Sequence, residues 1–313
     1  KALSPSVLHE GLKRRLPMVV TLHEYFSACP NGGFYNYQTR RACTLDPLGA
    51  ACLATHCDSR GYPHKVWRVA RQLVQRGAAG FPRQARHFIG VSRFSERILA
   101  PHLPADAVIH HVRNPIDVPR FEPARVEGQQ GFAFVGRLSP EKGADLLAMA
   151  AAAAGVPPTF IGEGPSRATV EAAYSAARMA GWLSREQVWD ELRRHRALVL
   201  PSLWYETQGL VVQEAAAFGL PAIVPDTSAA AESVIDGQTG MLFRSGSAED
   251  LRDKLAVLHA NPLLAAQMGR AAYERYWADP PTLERHVDEL ERVYALVAEG
   301  AQHAVSGQAW SHG

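Results

Sequence analysis

At 313 residues, with 33 Lys and Arg against 31 Asp and Glu, the chain carries a formal net charge of +2 and is longer than one hydrophobic core usually fills. Its 47% hydrophobic content is that of a globular protein, and no run of about eighteen apolar residues is present to span a membrane. The near-neutral balance gives no case for a nucleic-acid partner.

Taken in chain order, residues 12–16 (LKRRL) and the arginine-rich stretch 68–86 make the first part of the chain basic. They suit either a solvated face or peripheral contact with anionic lipid. The first strand pattern is MVVTL at 18–22, followed at once by His23 and Glu24. All four cysteines then fall in a Gly-, Asn-, Arg- and Tyr-containing loop over 29–60, as Cys29-x13-Cys43-x8-Cys52-x4-Cys57. Three readings stay open for them. They are a structural zinc site ordering a loop too polar to build a core, free or redox-active thiols, and disulfides. The spacing lacks a Cys-x2-Cys knuckle, and His23 and His56 are rival ligands.

GFAFVGRL at 131–138 reads as a strand, and Ser139-Pro140-Glu141-Lys142 opens a helix with Ser as N-cap and Pro in the first turn. Arg137 and Lys142 flank that helix start, where cations beside free N–H groups suit a pyrophosphate. A strand at 158–161 runs into Gly162-Glu163-Gly164-Pro165, either a plain turn or a place for a nucleotide to approach the backbone closely. The apolar run 197–202 ends at Pro201-Ser202, and Glu206 lies just beyond it. A helix pattern over 209–218 starts at Gly209 and stops at Gly219-Leu220-Pro221, ahead of a strand at 222–224. Amides near Gln208 to Leu210 then face outward and favour an anion, with Glu214 a turn further on to accept from ribose hydroxyls. As an isolated pair, Glu206 and Glu214 read instead as a loop carboxylate and a solvated helix residue. Residues 232–243 read as a loop and hairpin with turns at Asp236-Gly237 and Thr239-Gly240. Ser247 to Asp250 reads as a capping box ahead of Leu251, Leu255 and Leu258. The last helix, about 282–297, has apolar positions Val287, Leu290, Val293 and Leu296, and the tail 300–313 is polar.

In this order, FVGRLSPEKG (134–143), IGEGP (161–165), the Leu-Pro-Ser strand end and Glu206-x7-Glu214 resemble the retaining glycosyltransferases of family 4. IGVSRFS (89–95) and RNPID (113–117) look like the same family, so the resemblance spans roughly 86–298. It implies an α/β chain of the GT-B class, two Rossmann-like domains facing across a cleft. The expected division is 1–123 (acceptor side, with the Cys-rich loop), 124–281 (nucleotide-sugar side) and 282–313 (a helix crossing back, and a tail). The family's glycine-rich first loop has no match, so the N-terminal domain is expected to lack its first strands.

Carried over residue by residue, the resemblance puts Arg137 and Lys142 on the donor diphosphate, with backbone amides from Gly209 and Leu210. Glu214 goes to the ribose, Gly162 and Gly164 to the nucleotide, Glu206 to the transferred sugar, and His23 faces that sugar from the N-terminal domain. Thr207-Gln208 replaces the family's usual Phe after the first Glu. The implied reaction moves a sugar from a nucleoside-diphosphate sugar (UDP or GDP) to a glycan, lipid-linked or small-molecule acceptor, with no catalytic cofactor. The implied setting is bacterial glycan biosynthesis in the cytoplasm, either free there or at the inner face of the membrane. Charge stabilisation of the leaving diphosphate is the central task, and Glu206 orients the sugar without acting as covalent nucleophile. The contrasting class is a catalytically idle subunit that binds nucleotide or glycan for a partner enzyme.

Overall fold

The computed structural model describes residues 5–308. Its strands are, in chain order, β1 (Val19–Leu22), β2 (Tyr35–Asn36), β3 (Arg41–Ala42), β4 (His87–Gly90), β5 (Val108–His111), β6 (Phe132–Val135), β7 (Pro158–Ile161), β8 (Arg178–Gly181), β9 (Ala197–Val199), β10 (Ala222–Pro225) and β11 (Gly240–Phe243). The chain forms two compact units. Unit 1 comprises Lys1–Phe34, Thr44–Pro115 and Pro281–Gly313, and unit 2 comprises Tyr35–Cys43 and Ile116–Pro280.

Unit 1 is built on the parallel sheet β1-β4-β5, with Val20 opposite Phe88 and Phe88 opposite Ile109. Ile89 on β4 and Val112 just past β5 pack with Val293 and Val297 of the last helix, Leu283–Gln308. Of the four apolar positions expected on that helix, Val293 is buried and Leu290 packs against the cluster, whereas Val287 and Leu296 face outward. The buried positions thus continue to Val297, four residues on, where a helix repeats its face.

Unit 2 is a six-stranded parallel sheet in the order β11-β10-β9-β6-β7-β8. Strands β7, β9 and β10 are buried at every position, as parallel strands covered on both faces must be. The alanine-rich helix Ala144–Ala154 lets the helix Ala248–Ala260 come close, and Leu251, Leu255 and Leu258 of the latter are fully buried. Strand order reverses between β6 and β9, so the loops leaving their carboxyl ends diverge and open a crevice.

Several local readings are corrected. Ser139 does not cap a helix, because Pro140–Lys142 is a single 3-10 turn and the helix starts at Ala144 behind Gly143. Gly143 adopts φ 67°, and a Cβ there would overlap the carbonyl oxygen of Pro201. Close packing against the end of β9, not capping, shapes this corner. Residues 232–243 form no hairpin. Strand β11 pairs parallel with β10, and Ala222 lies opposite Gly240. Ser247 accepts from the Asp250 amide at 3.2 Å, but the Asp250 carboxylate accepts from Arg244 N, so half a capping box forms. A complete one appears at Ser184 and Gln187. The boundaries fall at 115/116 and 280/281, and residues Tyr35–Cys43, from the loop expected to belong to the first domain, pack in unit 2. Tyr35 is buried there, and Arg40 pairs with Asp145 at 2.5 Å. Among the described residues no helix is long and apolar enough to cross a membrane.

Candidate active site

Unit 2 gathers most of the predicted site residues at the carboxyl edge of its sheet. Three loops leave that edge, after β6, β7 and β9. The first two are laced together, since Gly136 N donates to Ile161 O at 3.0 Å and Leu138 N to Glu163 O at 3.0 Å. A Cβ at Gly162 would overlap the carbonyl oxygen of Gly136, and one at Gly164 that of Leu138. Backbone packing therefore demands both glycines before any ligand arrives. Between these loops Arg137 is exposed, its guanidinium directed to no ion pair among the described residues.

The third loop carries Glu206. Only 6% of it is exposed, and its Oε1 accepts from Lys142 Nζ at 2.7 Å and from Ser202 Oγ at 2.6 Å. Lys142 Nζ also stands 5.0 Å from the centroid of the Trp204 ring. The loop is seated on the 3-10 turn through Leu203 N, which donates to Glu141 O at 2.9 Å. A carboxylate this buried needs compensation, and an ammonium plus a hydroxyl supply it. Lys142 and Glu206, read from the sequence as binding different parts of a donor, are thus partners.

Gly209 takes φ 72° in the left-handed region, where a Cβ would also crowd Ala230, and it heads the helix Leu210–Ala217. Val212 N, in its first turn, donates to Gly209 O at 3.0 Å, and the Leu210 and Val211 amides ahead of it have no carbonyl within the helix to meet. Glu214 lies one turn beyond Leu210 on the same side. Burial pushes its carboxyl up, and nearby Arg185 opposes that shift. Beside this edge a cavity of about 570 Å³ is lined by Arg40, Asp145, Leu203, Tyr205, Thr227 and Ser245.

His23 belongs to unit 1, where it is exposed past the end of β1, its Nδ1 3.5 Å from Asn114 Nδ2. Of the three readings left open for the cysteines, the free thiols are the arrangement observed. All four are free, and among the described residues no cluster of three or more His, Cys, Asp or Glu is arranged to hold a metal. Lys65 Nζ lies 3.4 Å from Cys52 Sγ and 3.2 Å from Cys57 Sγ, so an ammonium occupies the ground between thiols. Burial raises the Cys29 and Cys57 thiols, favouring the neutral form over the thiolate a metal takes. Cys43 belongs to unit 2.

Ser202 and Trp204 were missed as partners of the site. Pro201-Ser202 was visible as a strand end, but a hydroxyl donor to a carboxylate four residues on has no spacing of its own. Arg40 and Tyr35, 105 residues from Asp145 and Pro140, gave no signal at all.

Residues 116–275 match the family described as Glycosyl transferases group 1. The chain belongs to this family. It is 32% identical over 222 residues to a GDP-mannose-dependent alpha-mannosyltransferase of Mycobacterium tuberculosis, covering 63% of this chain and 58% of that protein. It is 29% identical over 266 residues to a GDP-mannose-dependent alpha-(1-6)-phosphatidylinositol monomannoside mannosyltransferase of Mycolicibacterium smegmatis, covering 75% of this chain and 68% of the relative. Among solved structures it resembles sucrose-phosphate synthase from Thermosynechococcus elongatus, with TM-score 0.68 and 18% identity over 93% of this chain and 71% of that one. It also resembles the Anabaena protein Alr3699/HepE in complex with UDP, with TM-score 0.66 and 15% identity over 93% and 77%. These likenesses show the fold, two Rossmann-like α/β units of the GT-B class. The chain spans about half the length of the first curated relatives it matches.

Proposed function

We propose that this member of the group 1 family transfers a sugar, with retention at the anomeric carbon, from a nucleoside-diphosphate sugar to a glycan, lipid-linked or small-molecule acceptor. The part-buried Lys142–Glu206 pair at the reversal point of the unit 2 sheet carries the reading. A donor diphosphate competes for Lys142 and, with Arg137 and the amides of Gly209 and Leu210, receives its charge. As Lys142 turns to phosphate, Glu206 keeps Ser202 and becomes free to orient the sugar and stabilise positive charge at its ring. Glu214 holds the ribose, the loops at Gly162 and Gly164 flank the nucleotide, and His23 of unit 1 is a candidate catalytic residue. No cofactor is assigned a step in this scheme. Bacterial glycan synthesis in the cytoplasm is the setting, in line with the mannosyltransferases among the relatives.

GDP-mannose is named for those relatives and UDP for structural neighbours, so both bases enter the test. Thermal denaturation is followed with GDP, UDP, GDP-mannose and UDP-glucose, since a ligand of the native state raises its apparent stability by mass action. One nucleoside diphosphate is expected to stabilise the chain, and Lys142→Ala to abolish that shift. Glu206→Ala is expected to retain the shift while losing transfer. A panel with no shift, or full transfer by Glu206→Ala, sinks the assignment.

A further inference from the structure

The helix Tyr62–Gly77 of unit 1 is inverted. Its buried positions are polar, with Lys65 2% and Gln72 0% exposed, whereas Val66, Trp67, Leu73 and Val74 are 53%, 60%, 56% and 59% exposed. The polar face is fastened to the protein. Lys65 Nζ meets the thiols of Cys52 and Cys57, Arg68 pairs with the Asp58 carboxylate, and Arg71 Nη2 donates to Pro30 O at 3.2 Å. Gln72 Nε2 donates to Phe26 O at 3.1 Å. These contacts fix the rotation of the helix about its axis, so its apolar stripe cannot turn inward without stripping four polar side chains of their partners. Tyr62 and Leu53 extend the stripe, joined by a bond from the Tyr62 hydroxyl to Leu53 O at 3.0 Å. A contiguous apolar face of this kind calls for a partner.

Charge selects which one. Between Asp58 and Glu96 the chain has eight Lys and Arg residues and no acidic residue. Arg60 and Arg83 are exposed, and the Arg71 guanidinium lies 4.8 Å from the Phe26 ring centroid and 5.7 Å from that of Trp67, at the border of the stripe. A second copy would set this positive charge against itself. An anionic bilayer complements it, accepts Trp and Tyr at its interface, and requires no shaped pocket.

We propose that this helix docks in the surface of an anionic membrane, with Val66, Trp67, Leu73 and Val74 entering the headgroup–acyl boundary and the flanking arginines meeting lipid phosphates. The proposal stands on unit 1 alone and is independent of the donor-site reading.

Flotation of the full chain is measured with vesicles of phosphatidylcholine alone and of phosphatidylcholine mixed with phosphatidylglycerol. Binding is expected to the mixed vesicles only, to weaken with salt, and to fall roughly tenfold or more in the double variant Trp67→Ser, Leu73→Ser. Both positions are exposed, and the circular dichroism spectrum and the melting temperature should match the parent chain. Absence of binding to the mixed vesicles overturns the proposal, as does equal binding by the variant. A dimer in sedimentation velocity that the variant dissolves reassigns the face to a second copy and overturns it as well.

Discussion

At the scale of single residues, the environment of each carboxylate decides its behaviour. Glu206 has two donors and almost no contact with water, so removing one leaves a buried charge half satisfied. Ser202→Ala is expected to lower stability by ~1–2 kcal/mol in urea denaturation, and to reduce transfer without abolishing nucleotide binding. Glu214 differs, since burial holds its carboxyl above the ordinary range of a glutamate. Where Glu214 is protonated in both folded and unfolded chains, it costs nothing. As pH rises past the unfolded chain's carboxyl range, the unfolded state ionises first and the folded state loses stability, up to the raised folded value. Glu214→Gln is therefore expected to be more stable than the parent at neutral pH, with the difference shrinking on acidification. If ribose hydroxyls need the carboxylate, nucleotide affinity of the parent should fall on acidification at a higher pH than an ordinary glutamate would cause, and titration calorimetry of Glu214→Gln should lack that step. Glu206 and Glu214 were both legible as candidates from their places beside a strand end and a helix start. Their partners were not, because Ser202, four residues before Glu206 on the same loop, has no spacing of its own, and Lys142 and Arg185 become neighbours of the glutamates only when separate elements converge.

At the scale of elements, strands β6, β7, β9 and β10 were readable as short apolar runs, since a sheet covered on both faces admits little else, whereas β8, an edge strand that starts at an exposed arginine, gave no such run and β11 was read as part of a hairpin. Helix starts were read less well. Ser139-Pro140-Glu141-Lys142 satisfies every local rule for an N-terminus, yet the α-helix begins only at Ala144, because Gly143 must lie against Pro201. The same steric logic governs Gly162, whose φ of 133° and contact with the Gly136 carbonyl leave no room for a methyl group. Gly162→Ala is expected to cost ~1–3 kcal/mol in thermal or chemical denaturation, and to weaken nucleotide binding by displacing the loops that carry Arg137 and Glu163. A variant with unchanged stability and affinity would show that the two loops yield freely.

At the scale of the whole molecule, residues 35–43 show how far contacts can depart from chain order. They lie between segments of unit 1 in sequence and pack in unit 2, held by the Arg40–Asp145 pair, with Asp145 only 3% exposed. Arg40→Ala leaves that carboxylate buried without its cation and is expected to cost ~1–3 kcal/mol, with faster hydrogen exchange of the amides over 35–42. Unchanged exchange would mean that other contacts of the hairpin hold it. The sequence by itself determined the α/β class, strands β6, β7, β9 and β10 of unit 2, the family and the candidate residues Arg137, Lys142, Glu206 and Glu214. Each of these is written in local pattern: apolar runs, glycines, and charges at fixed spacing from strand ends. Tertiary structure alone decided that Lys142 and Glu206 pair, that an ammonium lies among the thiols, that the hairpin belongs to unit 2, and that the helix Tyr62–Gly77 faces its apolar stripe outward. Those outcomes depend on which distant groups share a desolvated space, and burial, the source of their energy, has no signature in spacing along the chain.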